Sequence, residues 1–305
     1  MSYFAQQVVD GLTLGSIYGL VALGYTMVFG IIGMVNFAHG DVLMLSTFIA
    51  LIVYLLLAPL LGPGLEPLTF ILVLGTTMAL TAFWNVTIER VAYRPLRGSF
   101  RLAPLISAIG MSIFLSNFVQ VVQEPNNKSL PPMMNDVFVL MRDGAGSVTL
   151  STKQMLITVT TALLLGLLWL VVQRTALGRA QRACEQDRKM AALLGIDVDR
   201  TIAITFAIGA ALAAVAGCLY IVLYGVVNPT DGFIPGIKAF AAAVLGGIGS
   251  LPGAVLGGIV IGLVEKFWGA YVSADYKDVV AFGVLAATLV LRPQGLLGRP
   301  EVEKV

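Results

Sequence analysis

Three short stretches hold the residues with which this chain can do chemistry. GMVNFAHGDV, residues 33–42, places an amide (Asn36), the chain's one imidazole (His39) and a carboxylate (Asp41) within six residues. Two readings compete there. Asn36 and Asp41 are good helix caps and Gly40 permits a tight turn, which makes a corner between two helices. Alternatively, Asn36, His39 and Asp41 border a substrate route, because interrupted membrane helices set their ends beside polar cargo. GGIGSLPG, residues 246–253, opens with Gly246 and Gly247 and interrupts an apolar run. Irregular backbone at membrane depth is tolerated only where it is buried in protein or lines a wet cavity. These glycines therefore mark either a permeation path or a tight connection. The third stretch, RACEQDRKMAALLGIDVDR at 182–200, gathers eight ionised side chains in nineteen residues.

Absences narrow the function. None of the seven lysines follows a glycine, so the Gly-Lys-Ser/Thr signature of a phosphate-cradling loop is missing. One histidine does not build a multi-histidine metal site, and no serine stands in a G-x-S-x-G context. The expectation is a chain without metal, cofactor or catalytic residues, and not an enzyme. Ion-coupled carriers place acids and bases inside the membrane, whereas here the apolar runs hold almost none away from their ends, with Glu265 and Lys266 adjacent near the end of one and Lys238 at the end of another. A net charge of +2 gives no sign of a nucleic-acid partner. Cys184 lies in the charged stretch and Cys218 in an apolar run, so no bridge between them is expected.

The elements that must position these residues are membrane helices. The composition is 58% hydrophobic and 12% charged, about half the charge of a soluble domain. Apolar runs cover about 8–32, 42–60, 68–88, 102–123, 154–173, 202–224, 236–248, 253–270 and 278–291. Most are long enough to cross a hydrocarbon core of about 30 Å, and they lack the alternation of barrel strands. The fold class is an all-α polytopic membrane protein of eight or nine segments, one transmembrane domain over 1–305. The seventh run is short, either a short crossing or half of a re-entrant pair. The start, MSYFAQQVVDG, has no lysine or arginine, so the first run is expected to be a permanent span.

Basic residues give the direction. Arg90, Arg94, Arg97 and Arg101 form one group, Arg174, Arg179, Arg182, Arg188, Lys189 and Arg200 a second, and Arg292, Arg299 and Lys304 a third. All three fall on one side if 236–248 crosses, and the positive-inside rule makes that side the cytoplasm. The N-terminus is then outside and the C-terminus inside. Loop 124–153 is outer, and DVFVLMRDGAGSVTLS reads as a hairpin around Asp143-Gly144. Glycines four apart (Gly11, Gly15, Gly19; Gly249, Gly253, Gly257; Gly258, Gly262) permit close helix contact, within the chain or with a second membrane subunit.

The charged stretch belongs to a cytoplasmic loop, 174–201. Between Leu177 and Leu194 there is no proline and one glycine, so a helix is predicted there, ending at Gly195. Partly apolar and flanked by both signs of charge, it suits a protein groove better than an anionic lipid surface; a solvated connector is the plainer alternative. RKMAALLGIDVDR resembles the coupling loop of ABC importer permeases, with a Glu-Ala-Ala, three residues, Gly pattern. Lys189, Met190 and Ala191 hold the first three positions, two of them departing from the pattern, and Gly195 holds the glycine.

Further segments occur in order: GLTLGSIYGLVALGYTMVFGIIGMVNFAHGD, ERVAYRPLRG, TALGRAQRA, KAFAAAVLGGIGSLPGAVLGG and RPQGLLG. With them the chain resembles the permease family of branched-chain amino-acid ABC transporters, in particular the smaller of the two permeases. That family also includes permeases for urea and short-chain amides. The resemblance implies the ABC importer permease fold, multi-pass in the inner membrane of a bacterial cell. It implies four partners besides the lipid bilayer: a second homologous permease, two cytoplasmic ATPase subunits and a periplasmic substrate-binding protein. Leucine, isoleucine or valine is the implied cargo. Asp187, Arg188, Lys189, Met190, Ala191 and Gly195 would form the ATPase-coupling loop, and Asn36, His39, Asp41, Gly246 and Gly247 the substrate path. A stand-alone secondary carrier is the alternative from another class.

Overall fold

The computed structural model describes residues 1–298 apart from 34, 63, 101, 144 and 145, with backbone alone for 142, 143 and 146. Arg101, Arg299 and Lys304 of the expected basic groups, and Gly144 of the expected hairpin turn, lie outside the described residues.

Every apolar run folds as helix. The order is α1 (Ser2–Ile32), α2 (His39–Leu61), α3 (Glu66–Ile88), α4 (Ala103–Gln123), α5 (Thr152–Arg174), α6 (Ala176–Gln186), α7 (Arg188–Leu193), α8 (Val198–Tyr224), α9 (Phe233–Gly246), α10 (Leu251–Tyr271) and α11 (Lys277–Leu291). A π turn (Glu89–Tyr93) and a 3-10 turn (Arg94–Leu96) prolong α3. Among the described residues, four short strands join them: β1 (Lys128–Ser129), β2 (Val137–Asp143), β3 (Gly146–Ser151) and β4 (Val226–Val227). Among the described residues, seven helices are long and apolar enough to cross a membrane. The apolar α9 and α11 have 14 and 15 residues, fewer than the ~20 that a straight crossing takes. The expected hairpin forms: β2 and β3 pair antiparallel from Val137↔Ser151 to Asp143↔Gly146, with an irregularity between Val139 and Met141.

The chain divides into two compact units. The first comprises Met1–Thr26, Met134–Leu167 and the chain from Lys238 on. Its centre is the packing of α1 on α10, made by the glycine rows. A Cβ added to Gly15 would stand 2.6 Å from the Cα of Ile259, so only glycine lets these backbones approach so closely. Gly258 and Gly262 face Gly19 and Gly15 in return, and Gly257 lies against Ala242 of α9. These glycines thus serve packing within the chain. The hairpin docks on α1 through the Gln6 carbonyl, which accepts the Thr149 N–H at 2.8 Å.

The second unit comprises Met27–Met133 and Leu168–Ile237. Here α2, α3 and α8 pack on one another, with α8 the buried member. Carbonyls of α8 accept polar cross-links: Ser46 Oγ donates to the Ala213 carbonyl at 3.2 Å, and Asn85 Nδ2 to that of Phe206 at 2.8 Å. At one end, Arg94 and Arg97 both pair with Asp199, and Arg97 also holds the buried Glu89. That knot ties the end of the α3 extension to the start of α8.

Candidate functional site

The helix break at 33–38 is a real interruption. α1 ends at Ile32, Gly33 takes a positive φ of 72°, and α2 begins at His39. The expected caps are not used as expected. Ala38 is the N-cap and has no side-chain cap bond. Asn36 instead sits two residues upstream, its Oδ1 accepting from Ala38 N–H at 3.2 Å and from the Tyr93 hydroxyl at 2.7 Å. Asp41 lies in the first turn of α2, where the exposed N–H groups and helix dipole favour a carboxylate. Gly40 makes no turn; it is helical, and its missing side chain admits the Gly232 carbonyl and the Gly236 Cα, which a Cβ would approach to 2.8 Å.

That contact brings a second helix start to the same place. After α8, β4 pairs with β1 beyond the end of α4. An Asx turn follows, in which Asn228 Oδ1 accepts from Thr230 N–H at 2.9 Å and Asp231 Oδ2 accepts from Asn228 N–H at 2.8 Å. Burial pushes the Asp231 carboxyl above its ordinary range, and the Asn228 N–H pulls against that. The chain then runs inward along α4. Ser116 Oγ donates to the Pro229 carbonyl at 3.3 Å, and Gly232 reaches Asp41, whose carboxylate accepts from Ser112. Ser112 lies eleven residues before Gln123, about 16 Å along the axis at 1.5 Å per residue. The short seventh segment therefore begins at depth, as a half-helix, after a descending strand of chain. Two helix N-termini, of α2 and α9, converge on the buried Asp41–Ser112 pair. No cation stands opposite Asp41 among the described ion pairs, and His39 beside it is fully buried.

Gly246 and Gly247 lie elsewhere, in the first unit. Gly247 has φ 97°, and both glycines pack tightly: Gly246 against Gly253, Gly247 against the turn at 294–298. Leu296 and Leu297 N–H donate to the Leu245 and Gly246 carbonyls at 2.8 and 2.9 Å. Both residues serve a tight connection.

The first unit also holds a feature that the sequence reading missed. Lys238 is 3% exposed, and its ammonium forms ion pairs with Glu265 Oε1 at 2.8 Å and Asp278 Oδ1 at 2.5 Å. The Tyr18 hydroxyl donates to Glu265 Oε2 at 2.9 Å, and the ammonium lies 5.7 Å from the Tyr18 ring centroid. Four helices, α1, α9, α10 and α11, contribute one side chain each. The available signal was that a lysine and a glutamate in separate apolar runs each need a partner.

The charged loop is two helices rather than the single one predicted. Asp187 breaks it: with φ −157° and ψ 109° it leaves the helical region and caps α7, accepting from Lys189 and Met190 N–H at 2.8 and 3.0 Å. Arg188 donates to the Ile32 carbonyl at 2.5 Å, satisfying one of the free carbonyls at the end of α1. Ala191 is buried. The predicted stop at Gly195 is present, with φ 84° and Ile196 N–H donating to the Ala191 carbonyl at 3.1 Å. Lys189, Met190, Leu193 and Leu194 point outward, the two leucines 80% and 75% exposed. Cys184 and Cys218 are both free and buried.

Comparison with known proteins gives a consistent result. The family model described as the permease component of a branched-chain amino acid transport system matches residues 7–289. The chain is 53% identical over 303 residues to the high-affinity branched-chain amino acid transport system permease protein BraD of Pseudomonas aeruginosa, covering 99% of this chain and 98% of that one. It is 49% identical over 305 residues to the corresponding permease protein LivH of Escherichia coli, with the same coverage. A probable branched-chain amino acid transport permease of Methanocaldococcus jannaschii is 26% identical over 293 residues, 92% of this chain and 88% of that one. No solved structure matches the chain.

Proposed function

Because the chain belongs to the family of branched-chain amino acid transport permeases, we propose that it is the membrane-spanning subunit of an ATP-driven importer of leucine, isoleucine and valine. It lies in the inner membrane with its N-terminus outside and its C-terminus in the cytoplasm. It pairs with a second homologous permease, receives cargo from a periplasmic binding protein, and leaves ATP hydrolysis to two cytoplasmic ATPase subunits. The cargo assignment draws on the relatives' names.

The observation that carries the transport role is the meeting of two interrupted helices at the Asp41–Ser112 pair. Helix N-termini attract an amino acid's carboxylate, and an Asp41 carboxylate without a cation of its own attracts its ammonium. Asn36 and His39 line the same helix break. At the same end of α1, α7 offers Met190, Leu193 and Leu194 as an apolar face for a groove on an ATPase subunit, with Lys189 beside it. Asp187, Arg188, Ala191 and Gly195 hold that face in shape. ATP-driven closure of the ATPases would push α7, and Arg188 links α7 to the end of α1, so the push reaches the helix break.

The test is uptake of labelled leucine into proteoliposomes containing the complex purified with this chain. Uptake should need ATP and the binding protein, and Leu193→Glu should leave ATPase activity while abolishing uptake. Uptake by this chain alone, driven by an ion gradient, would overturn the importer assignment.

A further inference from the structure

A cavity whose empty space, open solvent at its mouth included, is roughly 620 Å³ lies in the second unit. Its walls are largely apolar, from Val28, Ile32, Phe100, Ala108 and Phe206. Polar side chains line it as well. Asn36, 6% exposed, lines the cavity, and its Nδ2 has no partner among the described residues. Its orientation is set by chemistry: the Ala38 backbone N–H can only donate, so Oδ1 faces it and also takes the Tyr93 hydroxyl. The amide therefore presents two unused N–H groups. Buried donors of this kind are rare enough to need an explanation.

Two guanidiniums also line the cavity, and they differ. Arg97 is neutralised by Glu89 and Asp199. Arg188 has no carboxylate among the described ion pairs and donates to a neutral carbonyl. Burial, with the Arg97 charge second, already draws its pKa below the ordinary value, as expected of a half-buried cation lacking a counterion.

We propose that this cavity is a binding site for a small aliphatic carboxylate. The Asn36 amide and the Arg188 guanidinium hold its two oxygens, and the apolar walls hold its hydrocarbon body. Asn36 and Arg188 offer donors, so the carboxylate is the recognised group and an ammonium adds nothing. Because Arg188 also opens α7 and binds the end of α1, a bound carboxylate competes with the Ile32 carbonyl for that guanidinium. Occupancy thereby reaches the charged loop. Asn36 and Arg188 also serve the proposed transport function, but the labelling below reads binding without transport, so the two can fail separately. Two sources share the chemistry, the free branched-chain amino acid and its deaminated acid.

The experiment is photolabelling of the full chain, purified in mild detergent with its co-purifying subunits, by a diazirine-bearing pentanoate. Peptide mass spectrometry reads the adducts. Labelling is expected on the peptides around 28–36 and 100–108, with 4-methylpentanoate protecting them. Equal protection by leucine names the amino acid as source, whereas protection by the ammonium-free acid alone names the deaminated acid; both support the site. Undiminished labelling, adducts elsewhere, or equal protection by leucinol, which lacks the carboxylate, overturns it. Asn36→Leu and Arg188→Gln should each weaken protection about tenfold or more. Ala108→Phe, which adds bulk at the cavity wall, should abolish labelling. If a variant fails to fold, the adduct map of the unaltered chain still decides.

Discussion

Glu265 of the first unit and Asp41 of the second are both buried carboxylates on helices, and the two are treated in opposite ways. Glu265 in the first unit has a cation, Lys238, and the Tyr18 hydroxyl as partners from other helices. Asp41 in the second has a serine hydroxyl, two helix N-termini and no cation among the described ion pairs. A charge compensated by its own chain has its partners already and acts as a fastener. One compensated only by neutral dipoles keeps an affinity for a cation that arrives from outside. The first arrangement belongs to architecture, the second to cargo.

The largest expected effect tests the fastener. Lys238→Met leaves Glu265 buried without its cation, and breaking such a pair costs about 3–5 kcal/mol. The thermal midpoint in detergent should fall sharply. Adding Glu265→Gln should recover part of the loss, because the double variant no longer buries a lone charge. If Lys238→Met instead left stability intact and abolished leucine uptake, the contrast between the two units would collapse.

Next in size is the α1–α10 contact. Gly15→Ala forces a methyl to within 2.6 Å of the Ile259 Cα, and overpacking of this kind costs about 1–3 kcal/mol. Gly75, whose added Cβ would meet nothing within 4 Å, should tolerate alanine without loss. Equal midpoints for the two variants would mean that α1 and α10 are not packed through their glycines.

The carboxylate of the second unit should behave in the opposite sense to Lys238. Asp41→Asn keeps the size of the side chain and can still accept from Ser112, so the midpoint should move little. Leucine uptake should fall about tenfold or more, equivalent to at least ~1.4 kcal/mol of lost recognition. Unchanged uptake with a lowered midpoint would make Asp41 a fastener as well.

How far the sequence discloses this molecule follows from the range of the interactions involved. Helices declare themselves through local apolar runs, and the Gly195 stop and the hairpin through local turn chemistry, so these were legible. Asn36, His39 and Asp41 were legible as a group because six residues span them. Lys238 and Glu265 were not, since 27 positions and a turn separate them and nothing local in either run names the other. Nor was the half-helix start of α9, which depends on Gly40 and Gly232 approaching closely across nearly two hundred residues. The break at Asp187 was missed for another reason: charge at 187–189 reads as a solvated helix face, and only the backbone geometry reveals a cap.

That cap gives the smallest prediction and separates shape from contact in the charged loop. Asp187→Ala removes the acceptor for the Lys189 and Met190 N–H groups, a loss of about 1 kcal/mol. Because α7 has six residues, a helix that short depends on its cap and should fray. Asp187→Asn, which retains a capping oxygen but no charge, should keep it formed. Hydrogen exchange at 188–194 should therefore rise in the alanine variant alone. If coupling to ATP hydrolysis is lost in both variants while exchange rises only in alanine, the charge of Asp187 itself touches the ATPase. If both observables follow the cap, Asp187 acts by presenting Leu193 and Leu194.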